Sequence, residues 1–122
     1  MPDRRHVLGQ RGEEIAADWL ASRGWRVIAR RWRTSAGELD LVAIDPAGAL
    51  VAVEVKLRGS SRAGQPAEAV DRRRLLRLRA ALVQFRELQP VTGRELRIDL
   101  VAISRAGDGT WRLQHHAAID EW

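Results

Sequence analysis

The stretch ELDLVAIDPAGALVAVEVKL, residues 38–57, decides how the chain is to be read. Two apolar-rich runs, residues 38–44 and 50–57, flank Asp45-Pro46-Ala47-Gly48, where Pro at the second position and Gly at the fourth suit a tight turn. The two runs are therefore expected to pair as antiparallel strands. The second alternates, with Val51, Val53, Val55 and Leu57 on one face and Glu54 and Lys56 on the other. In the first, Glu38, Asp40, Val42 and Ile44 share a face, so Asp40 stands beside Glu54 if the register turns those faces the same way. Two carboxylates and one ammonium would then meet at one place.

Working outward, Ile15, Ala16, Trp19 and Leu20 keep helical spacing and predict a helix over 10–22, stopped by Gly24. Residues 25–32 (WRVIARRW) predict a strand with Arg on its wet side, and 34–37 a turn. After the quoted stretch, residues 58–65 (RGSSRAGQ) lack any period and predict a loop. Pro66 can open a second helix with Leu75, Leu78, Leu82 and Phe85 on one side and Arg72, Arg79 and Arg86 on another, ending near Gln89-Pro90. Strands are expected over 96–103 and 111–116. The order αβββαββ predicts an α/β layered domain with a mixed sheet of about five strands, the second helix allowing a parallel crossover. The near-identical strings LDLVAI (39–44) and IDLVAI (98–103) read as two central strands meeting the same packing demand rather than as a repeat unit.

Length and charge bound the function. A chain of 122 residues is expected to form one globular domain over 1–122. With no cysteine, thiol catalysis, Cys-ligated metal and Fe–S clusters are excluded. The start MPDRRHVLGQ has no apolar core of signal-peptide length and no apolar run is long enough to span a bilayer, so a cytoplasmic protein without a membrane partner is expected. A net charge of +5 favours a polyanionic partner, nucleic acid before acidic membrane, although the same charge also serves plain solubility. Of the 21 basic residues, 20 are Arg and only Lys56 is Lys.

That exception bears on chemistry. Charged residues inside an apolar strand either expose a wet face or hold a pair for a function, since a buried pair seldom stabilises more than apolar replacements would. Asp40 and Glu54 offer the hard oxygens that suit Mg²⁺ or Mn²⁺, which take one or two carboxylates and fill the remaining positions with water and phosphate oxygens. A compact ammonium can serve an attacking water, which a forked guanidinium cannot, so a chain that otherwise uses Arg has reason to keep Lys56. Glu13 lies at the edge of the first helix's core-facing stripe, where it either reaches the same place or favours the helix N-terminus. Arg30, Arg31 and Arg33 before the first carboxylate strand, Arg58 and Arg62 in the loop, and Arg72, Arg73 and Arg77 on the second helix could grip phosphates or be surface charge. Trp25, Trp32 and Trp111 read as core or sheet-face residues before base-stacking ones.

Taken in order, the residues resemble the YraN-type family of small bacterial proteins, related to Holliday-junction resolvases and the restriction-endonuclease-like nuclease superfamily. The resemblance rests on Gly9-x-x-Gly12-Glu13-x-x-Ala16, Arg30-x-Trp32-Arg33, Gly37-Glu38-Leu39-Asp40-Leu41-Val42-Ala43, Val53-Glu54-Val55-Lys56-x-Arg58, Gly64-x-Pro66-x-Glu68-Ala69-Val70, Arg97-x-Asp99 and His115-x-x-Ala118. It departs from the family's usual residues at Arg31 (Asn), Arg74 (Lys), Ile98 and Ile119 (both Phe). The resemblance implies a restriction-endonuclease-like core. It implies that Asp40, Glu54 and the Val55 carbonyl hold the metal, that Lys56 is the catalytic lysine, and that Glu13 is the helix-borne acid of resolvases. The expected function is metal-dependent hydrolysis of phosphodiesters in DNA before RNA, branched or flapped DNA included. The alternative is a nucleic-acid-binding protein on the same fold without turnover. A homodimer, as resolvases form to cut two strands, is compatible with either, and the parts played by Asp99 and His115 are open.

Overall fold

The computed structural model describes residues 4–58, 70–89 and 95–121, with side chains described over 10–57, 70–89 and 95–120. Helix α1 (Arg4–Ser22) leads into β1 (Arg26–Thr34), β2 (Gly37–Ile44) and β3 (Leu50–Arg58), followed by α2 (Arg72–Leu88), β4 (Leu96–Arg105), β5 (Trp111–His116) and a short 3-10 turn (Ile119–Glu121). The strands form one mixed sheet in the order β1-β2-β3-β4-β5. Neighbours joined by turns are antiparallel, whereas β3 and β4 are parallel because α2 carries the chain back across one face of the sheet.

Local chemistry sets each turn. Thr34 Oγ1 accepts the N–H groups of Ala36 and Gly37, both at 3.0 Å, and closes the β1–β2 hairpin. At the β2–β3 turn Asp45 Oδ1 accepts from the N–H groups of Ala47 (3.0 Å) and Ala49 (2.8 Å), and Gly48 supplies the left-handed backbone at φ 99°. The antiparallel pairing expected of residues 38–57 follows.

Each face of the sheet carries one helix. Ala16 and Leu20 of α1 pack on Leu41, Val51, Val53, Val101 and Ile103. On the other face Leu78, Ala81, Leu82 and Phe85 of α2 pack on Leu50, Ala52, Ile98 and Leu100. Trp32 joins that second layer edge-to-face with Phe85, ring centroids 5.0 Å apart, as a core residue. β3 alternates as expected, so Glu54 and Lys56 belong to the α2 face.

Several boundaries differ from the expectation. α1 starts at Arg4, a turn and a half before residue 10. The Trp25 N–H bonds the Leu20 carbonyl at 3.1 Å to finish α1, so β1 opens one residue later. α2 does not run on from Pro66. Asp71 is extended (φ −77°, ψ 171°) and its side chain accepts the Arg74 N–H at 2.8 Å, which makes it the N-cap of a helix beginning at Arg72. Residues 66–69, like the greater part of the expected loop, lie outside the described residues. β1 is also irregular: the pairing with β2 slips between Val27 and Ala29, and Arg31 sits in the left-handed region at φ 49°.

A buried ionic centre ties one corner of the fold together. Asp99 of β4 is fully buried, and its carboxylate accepts from Arg97 Nε (2.8 Å) and Nη2 (3.0 Å) and from the Ala118 N–H (3.0 Å). His115 Nε2 lies 2.7 Å from its Oδ2. Arg97 reaches on to Asp45 Oδ2 at 2.8 Å, and His115 packs edge-on against Trp19 and Trp25. Asp99 thus joins the β2–β3 turn, β4, β5 and the chain after β5. Burial alone would raise the Asp99 pKa, but the bonds from His115, Arg97 and Ala118 outweigh it and hold the carboxyl below the ordinary 3.8.

Two stability measurements check this packing. Removing the Asp99 carboxylate leaves Arg97 short of its main partner, so Asp99→Ala should cost about 3–5 kcal/mol in urea unfolding. Because the folded-state pKa is depressed, that stabilisation is present above the unfolded value and is lost as pH falls through the folded one, so the gap between wild type and variant should narrow at acid pH. The opposite sign is expected at Gly12, where an added Cβ would meet Ile103 Cδ1 and Val55 Cγ1 at 3.8 Å, ordinary van der Waals contact. Gly12→Ala should raise the melting temperature by about 2–5 °C, since glycine is the poorer residue inside a helix.

Candidate functional site

The β2–β3 ladder ends at the pair Leu41↔Val53. One step further the register would place Asp40 opposite Glu54, and there the strands stop bonding to each other. Asp40 fills the parting: its Oδ2 accepts the Val55 N–H at 3.0 Å, a side chain taking the donor that a paired backbone would have used. In an extended strand the N–H and C=O of one residue point to the same side, so the Val55 carbonyl faces the same parting. The irregularity shows in the packing as well, since Leu39 lies with the α2-face core while Leu41 lies with the α1-face core.

Glu54 enters from the α2 face and is only 3% exposed. Its Oε1 accepts from Arg74 Nη2 at 2.8 Å. Its Oε2 is buried without a hydrogen-bond partner among the described residues, and so is Arg74 Nε. Burial first, and then the nearby Asp40 charge, push the Glu54 pKa up to about 7 against the opposing pull of Arg74. Glu13 comes from α1 on the other face, with Arg31 Nε donating to its Oε1 at 2.7 Å. Desolvation raises its pKa too; the Arg31 bond opposes this, and Asp40 adds to it. Asp40 is therefore the middle of three carboxylates, each outer one held by an arginine.

The expected residues divide accordingly. Glu13, Asp40 and Glu54 gather at the parting, and Lys56 lies on the Glu54 face two residues along, with no hydrogen bond or ion pair among the described residues. Arg31 is turned inward onto Glu13. Arg33 pairs with Glu38 at 2.9 Å on the surface, and the Glu38 charge still adds to the upward push on Glu13. Arg30, Arg72, Arg73 and Arg77 are exposed, whereas the Arg58 side chain and Arg62 lie outside the described residues. Asp99 and His115 belong to the ionic centre on the α1 face and do not join this group.

Arg74 is the residue that sequence reasoning did not place. Its signal was its position: it stands four residues before Leu78, one turn up the same inward stripe, where an apolar residue would extend the core.

The residues fit a divalent cation in one respect and leave it incomplete in another. Among the described residues no three Asp, Glu or His side chains are grouped as metal ligands. Mg²⁺, however, needs only one or two protein carboxylates, and the orphaned Glu54 Oε2 beside the Asp40 charge is an acceptor pair that a cation would satisfy. No described helix is long and apolar enough to cross a membrane.

The sequence profile of the uncharacterised protein family UPF0102 matches residues 12–103, a span that includes Glu13, Asp40, Glu54 and Lys56. A UPF0102 protein of Beutenbergia cavernae is 43% identical over 91% of this chain and 93% of its own length. Similar relatives come from Pseudarthrobacter chlorophenolicus (38% identical, 97% of this chain, 89% of the relative) and Anaeromyxobacter dehalogenans (40% identical, 95% and 85%).

The electrostatics predict a stability profile. A carboxyl whose folded pKa is raised stabilises the fold below its unfolded value, and that contribution is lost as pH rises toward the folded value of about 7. Without divalent cations, Glu54→Gln should therefore melt about 5 °C or more above the wild type at pH 8, and the two should converge near pH 5. Parallel melting curves across that range would show that ionised Glu54 is not under strain.

Proposed function

The chain belongs to the UPF0102 family, and on that footing we propose that the parting between β2 and β3 is the centre of a metal-dependent nuclease with a restriction-endonuclease-like core. One observation carries the reading: a carboxylate almost wholly buried inside a sheet, Glu54, keeps one oxygen unpartnered next to a second carboxylate. Such a group destabilises the folded chain unless a proton or a cation reaches it. The mixed sheet with one helix on each face, and Glu54-x-Lys56 on the strand beside Asp40, supports the nuclease fold in particular.

Asp40 and Glu54, with the Val55 carbonyl, would hold Mg²⁺ or Mn²⁺. Bound there, the ion would polarise a phosphoryl oxygen and lower the pKa of a water. The chain's own residues do the rest. Asp40 is fixed by the Val55 N–H, so its free oxygen is aimed without further ordering. Lys56 hydrogen-bonds the attacking water and offsets negative charge on the phosphoryl oxygens. Glu13, steadied by Arg31, walls the opposite side of the parting and adds its charge to that of Asp40. The exposed Arg72, Arg73 and Arg77 on the first turns of α2 attract the phosphate backbone without reading sequence. DNA is the substrate class proposed, branched or flapped forms included.

A second reading, a nucleic-acid-binding protein without turnover, is favoured by the Arg74 ion pair, which already answers part of the Glu54 charge.

Purified protein incubated with labelled junction, flap and duplex DNA in Mg²⁺ or Mn²⁺ should cut at least one of them. Asp40→Ala and Lys56→Ala should each lower the rate by about 10²-fold or more. Salt-sensitive binding with no cleavage in either metal supports the second reading, and cleavage that persists in both variants removes the site assignment.

A further inference from the structure

Arg74 takes an inward position on α2 that the core does not explain. Leu78, Leu82 and Phe85 continue its stripe into the apolar layer, while the Arg74 side chain, 39% exposed, lies between that layer and solvent with its guanidinium on Glu54. Arg–carboxylate pairs settle best with two parallel bonds. Here only Nη2–Oε1 is made, and the two atoms left over, Nε and Oε2, are both buried and unpartnered. The first turn of α2 adds a second oddity: Arg72, Arg73 and Arg74 stand together at the helix end whose dipole already favours anions, with the capping Asp71 as the acid beside them. Arg74 thus stands among the carboxylates of Glu54, Asp40 and Asp71 with one buried donor unused, and Glu54 keeps one buried oxygen that its arginine does not reach.

We propose that Arg74 is a phosphate ligand held in reserve on Glu54: it answers the Glu54 charge while the site is empty, and turns its guanidinium to a nucleic-acid phosphate oxygen when a divalent cation takes Glu54. The inference rests on the metal-site reading above and goes beyond it by giving Arg74 two successive partners. A cation entering at Asp40 and Glu54 brings two positive groups onto one carboxylate, and the guanidinium, being partly exposed and singly bonded, is the one free to move. A phosphate arriving with the cation offers two oxygens to the fork, so Nη2 and the orphaned Nε are both satisfied. Substrate and cation then favour each other's binding, because each supplies the partner that the other displaces.

The test is a pair of titrations on Arg74→Gln and Arg74→Lys, checked for folding by circular dichroism. With Mn²⁺ alone, followed calorimetrically, Arg74→Gln should bind about 3- to 10-fold more tightly than wild type, because a competing charge has gone. With a short DNA duplex and Ca²⁺ as the cation, the gain in DNA affinity that Ca²⁺ gives the wild type should fall by about tenfold in Arg74→Gln and be partly restored in Arg74→Lys. A merely structural Arg74 would lower the melting temperature and leave both quantities where they were. Unchanged or weaker Mn²⁺ binding in folded Arg74→Gln overturns the inference, and so does an unchanged Ca²⁺-dependent gain. The metal-site reading is tested separately by Asp40→Ala: if Mn²⁺ binding does not depend on Asp40, that reading fails and takes the inference with it.

Discussion

Val55 gives its backbone N–H to Asp40 Oδ2 at the point where β2 and β3 stop pairing, and the candidate site is arranged around that bond. Without the carboxylate, a central strand would have an unsatisfied donor in the middle of the sheet. With it, the strands can separate while the sheet stays closed, and the gap opens onto both faces. Glu13 reaches it from α1 and Glu54 from β3 on the α2 side. The packed remainder of the sheet keeps that geometry in place. β3 is flanked along its whole length by β4 and, over Leu50 to Val53, by β2, so Glu54 sits at the edge of a rigid four-residue ladder.

The charge balance follows from that geometry. Three carboxylates share the gap, and the two outer ones are each held by one arginine, Arg31 on Glu13 and Arg74 on Glu54. Neither arginine is placed at low cost. Arg31 adopts a left-handed backbone, and Arg74 occupies an inward helical position with its Nε unpartnered. Elsewhere the same residue types are arranged for stability: Asp99 has three protein donors and a histidine around it and is held ionised, whereas Glu54 has one donor and is pushed toward neutrality. Two buried acids in one sheet thus have opposite electrostatics. Glu54 lacks the donors that surround Asp99 and has the Asp40 charge beside it.

Much of this was legible in the sequence because it depends on local pattern. The Asp45-Pro46-Ala47-Gly48 turn and the alternation of Val51, Val53 and Val55 with Glu54 and Lys56 fix the hairpin and the faces. The two LDLVAI-like strings did become strands on either side of β3. The strings alone carry no direction, but the turn at 45–48 and the second helix did: β2 runs against β3 and β4 runs with it, so Asp40 falls at the parting beside Glu54, while the place of Asp99, beside Val53 in the ionic centre, was not read from the sequence. The start of α2 was misjudged because Pro66 is a strong local signal, whereas Asp71 becomes a cap only through its bond to Arg74. The bulge near Ile28 and the left-handed Arg31 were invisible for a similar reason, since both are set by pairing with β2 and not by propensity. Arg74 was hidden by its company: among 20 arginines, nothing in its identity separates one that faces inward from those that face water.

The central claim is that the Asp40–Glu54 parting is a divalent-cation site, and an anomalous-scattering map from a crystal soaked in Mn²⁺ addresses it most directly. The account predicts a peak in ligating contact with both carboxylates and with the Val55 carbonyl, and Arg74 withdrawn from Glu54. No peak at the parting, with the Arg74–Glu54 ion pair intact at saturating Mn²⁺, would contradict it.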